Sequence, residues 1–381
     1  PLQTAIQHTH TVMLEGGTRF GEKERRNIRY QVNLTAAPSQ GVMKGSERNR
    51  YGAGLKLLYN DTRLQVTSDL QFALVDNTDS PYGSFSTYAN LLPFYRMKDK
   101  NGKYLPTLSY SNIPIYEGFP RPDFTGNTFS EQLNPIYEAK YLSSFSKGET
   151  TNLTFNLGFN WEAWEGLRVK GSLSVNNTQD KSEVYRSPLS ADFFDYTSVT
   201  DGESTSEGYT LKNIYKRGTY NMNNSSQFDY YGLLTVAYTK AFGRHLVQGI
   251  VGGELKETNS DSDGYTSVGF LDDALEYPSY AIQFDPYKGP SGNRSLTRSA
   301  GVFGNFNYSW DNRYLVDVTG RLDGSSNFAS KQRSAPFWSV GVRWNIYNES
   351  FMRSHGIFEN LAIRANIGTV GNSNFQLSQI M

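Results

Sequence analysis

The chain has 381 residues, with 37 Lys plus Arg against 37 Asp plus Glu and no cysteine. The balanced charge removes the basic excess that nucleic-acid binding needs. The missing thiols exclude a disulfide scaffold, an iron–sulfur cluster and a thiolate zinc site. No apolar run approaches the roughly 18 residues of a membrane helix. Residues 1–20 show no charged start followed by an apolar core, so no secretory signal is read there. The 26 Tyr, 23 Phe, 5 Trp and 35 Gly fit a β protein. A mean hydropathy of −0.56 also fits a membrane β-barrel, in which only alternate residues need be apolar.

Taken in chain order, period-two segments are read at about 9–17, 28–37, 50–59 and 63–75. The pattern is cleanest at 151–161, where Leu153, Phe155, Leu157, Phe159 and Trp161 oppose Asn152, Thr154, Asn156, Gly158 and Asn160. A strand can use such strict alternation and a helix cannot. Segment 167–176 repeats it, with Leu167, Val169, Leu173 and Val175 against Arg168, Lys170, Ser172 and Ser174. Weaker versions follow at 228–242, 245–257 and 298–310. In 314–323 Tyr314, Val316, Val318 and Leu322 oppose Asp317, Thr319, Arg321 and Asp323. Segment 337–347 sets Trp338, Val340, Val342, Trp344 and Ile346 against Ser339, Arg343 and Asn345, and 361–369 sets Ile363 and Ile367 against Arg364 and Asn366. The count is about twelve strands, each near the 9–11 residues that cross a bilayer at a tilt. No helix is assigned.

The connections alternate in length. Tight turns fall at 60–61, 162–166, 243–244 and 311–313. Long polar links fall at about 76–150, 179–227, 258–297 and 324–335. Short turns at one end and long loops at the other are the habit of an outer-membrane barrel. Trp161, Trp164, Tyr238, Phe242, Tyr308, Trp310, Tyr314, Trp344 and Tyr347 cluster beside the short turns, where an interfacial girdle belongs. The competing architecture is a two-sheet soluble core with aromatic ends. The charges on the polar faces disfavour it, because a core rejects them. The expectation is an all-β antiparallel transmembrane barrel without a domain linker.

Motifs for chemistry are nearly absent. A Ser–His–Asp arrangement needs a positioned histidine, and only His8, His10, His245 and His355 exist, with no G-x-S-x-G elbow, P-loop or G-x-G-x-x-G. No enzyme and no cofactor are expected. His8–Thr9–His10 puts two imidazoles on one strand face, but a metal site needs further ligands. Asp261–Ser262–Asp263–Gly264 opens like a calcium loop, yet position 270 is Phe where the bidentate Glu belongs. A solvated turn is the simpler reading. Arg168, Lys170, Asp317, Arg321, Arg343 and Arg364 face away from the apolar side. In a barrel that face is the lumen, where they contact a plug or solute or are simply solvated. Tyr82, Phe85, Tyr88, Tyr95, Phe193, Phe194, Tyr196 and Tyr209 in the long loops are candidates for sugar or peptide binding. Loops this aromatic also pack on themselves.

One set of motifs goes further. Asn312–Arg313–Tyr314–Leu315, then Arg321–Leu322–Asp323–Gly324–Ser325–Ser326–Asn327–Phe328, resembles the N-R-Y-L…R-x-D-G-S-S-x-F hallmark of SusC/RagA-type TonB-dependent outer-membrane transporters. Ala335–Pro336–Phe337–Trp338, Asn348–Glu349–Ser350–Phe351–Met352 and Leu361–Ala362–Ile363–Arg364–Ala365–Asn366–Ile367–Gly368 follow in the family's order. Gly16–Gly17–Thr18, Asn134–Pro135–Ile136–Tyr137, Gly166–Leu167–Arg168–Val169–Lys170–Gly171 and Asp272–Asp273…Tyr277–Pro278 add to the resemblance, which runs from about residue 9 to the end.

The resemblance implies a barrel of about 22 strands around an N-terminal plug. It implies a place in the outer membrane of a Gram-negative bacterium and a SusD-like surface lipoprotein over the mouth. It implies TonB-driven import of oligosaccharides, or in some members oligopeptides, with outer-membrane lipid around the wall. The sequence shows no plug, no TonB box and no terminal aromatic strand before Gln379–Ile380–Met381. The expectation is therefore an internal barrel piece of a longer protein, with TonB coupled through the missing plug. The alternatives are a self-contained small barrel serving as a passive pore or adhesin, and a soluble carbohydrate-binding sandwich. The link at 76–150, the longest, is expected to touch the lipoprotein.

Overall fold

Side chains that alternate in polarity can satisfy two different surroundings only if the backbone is extended and its hydrogen bonds go sideways to neighbours. The computed structural model describes residues 1–22, 25–91, 95, 97–108, 132–196, 209–211, 213–326, 334–353 and 359–369. In it the periodic segments become twelve long strands. They are β1 (His10–Phe20), β2 (Arg26–Ala37), β3 (Glu47–Asn60), β4 (Leu64–Thr78), β5 (Phe145–Trp164) and β6 (Leu167–Arg186). Then follow β7 (Thr219–Phe242), β8 (His245–Val268), β9 (Ser291–Trp310), β10 (Tyr314–Ser325), β11 (Ser334–Asn345) and β12 (Ala362–Gly368).

Each strand pairs antiparallel with the next, so the sheet is one long meander. Among the described residues β1 pairs only with β2 and β12 only with β11, so the sheet is not closed. The register keeps one apolar face throughout. Leu14, Val32, Leu55, Leu70, Phe155, Val175 and Tyr230 form a single cross-strand row over seven strands. The adjoining row on the opposite face runs Met13, Asn33, Gly54, Gln71, Thr154, Asn176 and Asp229. No second sheet covers the apolar face among the described residues: Leu14, Leu34, Val251, Val302 and Ile367 are each more than half exposed. A soluble sandwich buries such a face, so that alternative fails. A face this large and this apolar needs a non-aqueous neighbour.

The turn end of the meander is tight. Gly166 (φ 81°) and Gly243 (φ 57°) take the left-handed backbone that β5–β6 and β7–β8 need there. Asp311 (φ 50°) and Asn312 (φ 51°) do the same between β9 and β10, the two-residue pattern that suits the strand twist. The loop end carries every other connection.

Two expectations are corrected. Both ends of the links at 179–227 and 258–297 are strand, because β6 runs on to Arg186, β9 starts at Ser291, and β7 and β8 are 24 residues each, far longer than a membrane crossing. On β7 the apolar face runs only from Phe228 to Tyr238, and at the usual tilt this spans about 25 Å. Beyond it both faces are rich in Asn, Ser and Thr, so hydrogen bonding continues while alternation disappears. The second correction is helical. Three short helices exist among the described residues, α1 (Phe85–Ala89), α2 (Pro135–Tyr141) and α3 (Ser350–Arg353). Each is too short for a 3.6-residue period to register in sequence. The buried hydrophobic side chains gather at the loop end, where Tyr185, Tyr220 and Phe270 form a small aromatic core.

Candidate functional site

The polar face is built by register. Lys170, Thr235, Gly252, Phe303 and Arg321 lie in one row across β6 to β10. Arg168, Asp317, Arg343 and Arg364 occupy the same face in neighbouring rows. Arg321 is the centre of a network. Its Nε donates to Asp323 Oδ2 at 2.6 Å, and its Nη2 donates to Glu254 on β8. The guanidinium sits 5.7 Å from the Phe303 ring centre, and Tyr231 donates its hydroxyl to Glu254 at 3.1 Å. Four strands are thereby tied by one charge-assisted cluster. Asp317 accepts from Asn305 Nδ2 at 2.8 Å. Glu254, Tyr231 and Asn305 were not singled out from sequence. Glu254 alternates correctly with Leu255, but only the register brings it to Arg321.

The remaining cations are treated differently. Arg343 donates to Asn345 Oδ1 at 2.6 Å and stands directly across from Arg364. Arg168, Lys170 and Arg364 form no ion pair among the described residues. Arg168, Lys170 and Arg364 are therefore left without a carboxylate partner among the described residues, whereas Arg321 is spent within the sheet.

At the turn end the apolar face closes in aromatics. Trp310 stacks on Tyr314 at 5.6 Å, Tyr314 on Trp344 at 6.3 Å and Phe242 on His245 at 5.1 Å. His245 Nδ1 meets the Tyr308 hydroxyl at 2.7 Å. Tyr347 lies past the end of β11, in a 3-10 turn. That turn explains two of the sequence motifs. Glu349 accepts from Tyr314 Oη at 2.9 Å, Trp344 Nε1 at 3.1 Å and Arg313 Nη1 at 3.4 Å. Asn345 and Asn348 both donate to the Asn312 carbonyl, at 2.7 and 2.9 Å. The segments Asn312–Arg313–Tyr314 and Asn348–Glu349 thus form one clasp.

The loop end is held by buried polar groups. Asn134 is fully buried and caps α2: its Oδ1 accepts from Ile136 N at 3.1 Å. Its Nδ2 donates to the Leu105 carbonyl at 2.7 Å and the Met97 carbonyl at 3.1 Å. Ser143 donates its backbone N–H to Asp273 Oδ2 at 3.0 Å and its hydroxyl to the Asp273 carbonyl at 2.6 Å. Asn134 therefore folds the loop before β5 on itself, and Asp273 clamps that loop to the loop after β8.

On α2, Glu138 is 4% exposed; its Oε1 accepts from Ala191 N at 3.1 Å, and its Oε2 has no hydrogen-bond partner among the described residues. Burial raises its pKa above the ordinary carboxylate value, against the pull of the Ala191 N–H. A raised folded-state pKa means the loop clamp is most stable below the unfolded pKa. That stability is lost as pH rises through the folded value. Glu138→Gln is expected to slow amide exchange over residues 132–141 at pH 7.5 and to leave it unchanged near pH 4. Equal exchange in variant and parent at both pH values contradicts this.

The loop aromatics fall into two groups. Tyr82, Phe85 and Tyr88 lie on and before α1, where Tyr88 donates to the Tyr82 carbonyl at 2.9 Å, and Phe85 is exposed. Burial pushes the Tyr88 hydroxyl up to about 12. Phe193 ends a 3-10 turn, and Phe194 and Tyr196 lie on a short strand paired with Tyr209 and Leu211. The side chains of Phe194, Tyr196 and Tyr209 are outside the described residues, as are Asn327 and Phe328 of the R-x-D-G motif.

This geometry was compared with known proteins. A family model described as TonB dependent receptor-like, beta-barrel matches residues 98–379, well over half of the chain. The chain belongs to that family. The TonB-dependent receptor SusC of Bacteroides thetaiotaomicron is 25% identical over 384 residues, covering 98% of this chain and 34% of the relative. TonB-dependent receptor P26 of Formosa agariphila is 23% identical over 351 residues, covering 91% and 31%. Among solved structures, the RagAB peptide transporter matches with a TM-score of 0.59 at 21% identity, covering 92% of this chain and 37% of that one. The resemblance to SusC/RagA-type transporters is thus borne out. The chain spans about a third of the length of the relatives it matches.

Within this TonB-dependent receptor barrel wall, the solvated turn read at Asp261–Gly264 is corrected. Asp261 to Gly264 lie in the extended β8, not in a loop. Asp261 pairs with Arg294 at 2.6 Å and Asp263 accepts from Asn224 at 3.2 Å, while Ser262 points to the other face. Strand alternation separates groups that a calcium loop would gather. His8 and His10 meet edge-to-face at 5.1 Å. Among the described residues no three His, Cys, Asp or Glu side chains gather as metal ligands.

Proposed function

We propose that this chain is part of the wall of an outer-membrane importer that takes up oligosaccharides or oligopeptides with energy from TonB. The observation carrying this reading is the uninterrupted register, which sets one apolar face against one charged, hydrogen-bonded face across all twelve strands. The apolar face meets outer-membrane lipid and the polar face lines the lumen. The turn end is periplasmic and the loop end extracellular. Further strands outside this sequence pair with β1 and β12 and close the barrel, since an unpaired edge is untenable in lipid. The bare cations Arg168, Lys170, Arg343 and Arg364 face the plug, through which TonB acts. A SusD-like surface lipoprotein covers the loop end and contacts the loop between β4 and β5. This wall performs no chemistry of its own.

The test is uptake by the native host. With the full-length protein present, uptake of the solute is expected to stop when an uncoupler collapses the proton motive force, and a surface lipoprotein is expected to co-purify. Uptake that persists in the uncoupler, without a lipoprotein, contradicts this reading and favours a passive pore. Removing the β4–β5 loop is expected to weaken lipoprotein association; unchanged co-purification rejects that contact.

A further inference from the structure

Beyond the apolar stretch, toward the loop end, the polar face of β4 to β9 holds a concave recess of about 520 Å³. Two cross-strand rows build it. One runs Thr150, Asp180, Ser225, Ser262 and Asn293. The next runs Asn77, Gly148, Ser182, Asn223 and Gly264. The rows just below differ in one respect. There Asn152, Thr154, Asn176 and Thr178 satisfy each other at 2.8 to 3.2 Å. In the recess, Ser182, Ser225, Ser262 and Asn293 make no side-chain hydrogen bond among the described residues. Asp180 and Asp79 each accept one hydroxyl, from Thr150 at 2.6 Å and Ser146 at 2.7 Å, and keep further lone pairs open.

The charge pattern is equally one-sided. Lys147 and Lys181 border the recess but alternate to the opposite face, where Lys181 pairs with Glu183 at 3.1 Å and Lys147 lies 4.4 Å from the Phe145 ring centre. The cations nearest in register on the polar face are Arg48 and Arg50 of β3, one strand beyond the β4 side, opposite Asn77 and Val75. No apolar side chain of the polar face lines the recess to receive the side chain of a peptide.

We propose that this recess is a subsite on the barrel wall for an uncharged oligosaccharide. The proposal rests on the import reading above and narrows its solute. Sugar hydroxyls both donate and accept, which matches a wall of free hydroxyls, an amide and two acceptor carboxylates. An acidic sugar would meet Asp79 and Asp180, while the lining Lys147 and Lys181 point to the opposite face.

The experiment uses the full-length protein in detergent. Binding is measured by calorimetry with neutral hexasaccharides of glucose, xylose and mannose, a hexagalacturonate and a hexa-alanine peptide. The expected result is binding of at least one neutral hexasaccharide and none of the acidic one. A double variant, Ser225→Leu with Asn293→Leu, is expected to weaken that binding roughly tenfold while lipoprotein co-purification and the melting temperature stay unchanged. Selective binding of hexa-alanine or hexagalacturonate, absence of neutral binding, or an unaffected variant overturns the subsite. If the lipoprotein still co-purifies and uptake still needs the proton motive force, the import reading stands without it. If those fail too, the import reading falls as well.

Discussion

Leu173→Arg is expected to destabilise the full-length protein by roughly 2–4 kcal/mol, the cost of a cation near the bilayer midplane on a barrel's lipid face. Leu173 lies midway along the apolar face, opposite Leu157 on β5. Its neighbour Ser172 lies on the polar face, opposite Gly158, and its hydroxyl makes no hydrogen bond among the described residues. Ser172→Arg is therefore expected to change stability by less than about 1 kcal/mol, as solvated substitutions do. Urea unfolding in lipid vesicles checks the pair. Equal effects of the two substitutions would contradict the assignment of faces, because the positions differ only in the direction of the side chain.

Asn134→Ala carries the second large effect. The amide caps α2 and satisfies two buried carbonyls, of Met97 and Leu105. Losing the cap costs about 1 kcal/mol, and each orphaned carbonyl adds on the order of 1 kcal/mol. The total of about 2–3 kcal/mol exceeds what a seven-residue helix holds alone, so α2 is expected to lose its protection from amide exchange. Asn134→Asp keeps the cap but not the donors, and is expected to fall between. Unaltered exchange over residues 135–141 in Asn134→Ala would contradict this role of Asn134.

The sequence made the wall strands legible because the apolar and polar surroundings differ across the sheet. Leu153 to Trp161 and Leu167 to Val175 could be read residue by residue, and their pairing follows that pattern. Where both faces of β6, β7 and β8 meet water, as at Asn224 and Asp263, no alternation survives to be read. These stretches looked like loops although their backbone pairing is continuous. Hydrogen bonding between backbones leaves no trace in side-chain polarity.

The same reasoning divides the candidate site. Arg321 and Asp323 announce themselves two residues apart on one face, but Glu254 is 67 positions from Arg321 and joins it only through register. Asn134 and Asp273 stood out as family-like without a role. Their roles are contact within one loop for Asn134 and between two loops for Asp273, which no periodicity encodes. Asp261 and Asp263 misled in the opposite direction, since acidic spacing suggests a loop only when the backbone is free to curl.

The central claim is that one face of this sheet meets lipid and the other meets water. The 381 residues contain no cysteine, so single cysteines can be placed at each position from 220 to 240 of β7, in a full-length protein with any cysteine elsewhere replaced by serine. Labelling by a charged, membrane-impermeant thiol reagent is then measured in native outer membranes. The account predicts period-two labelling from 228 to 238, with Leu233 and Thr235 positions reactive and Leu234 and Val236 positions silent. It predicts reactivity at positions of both parities from 223 to 226. Uniform labelling across 228 to 238, or silence at both parities, would contradict it.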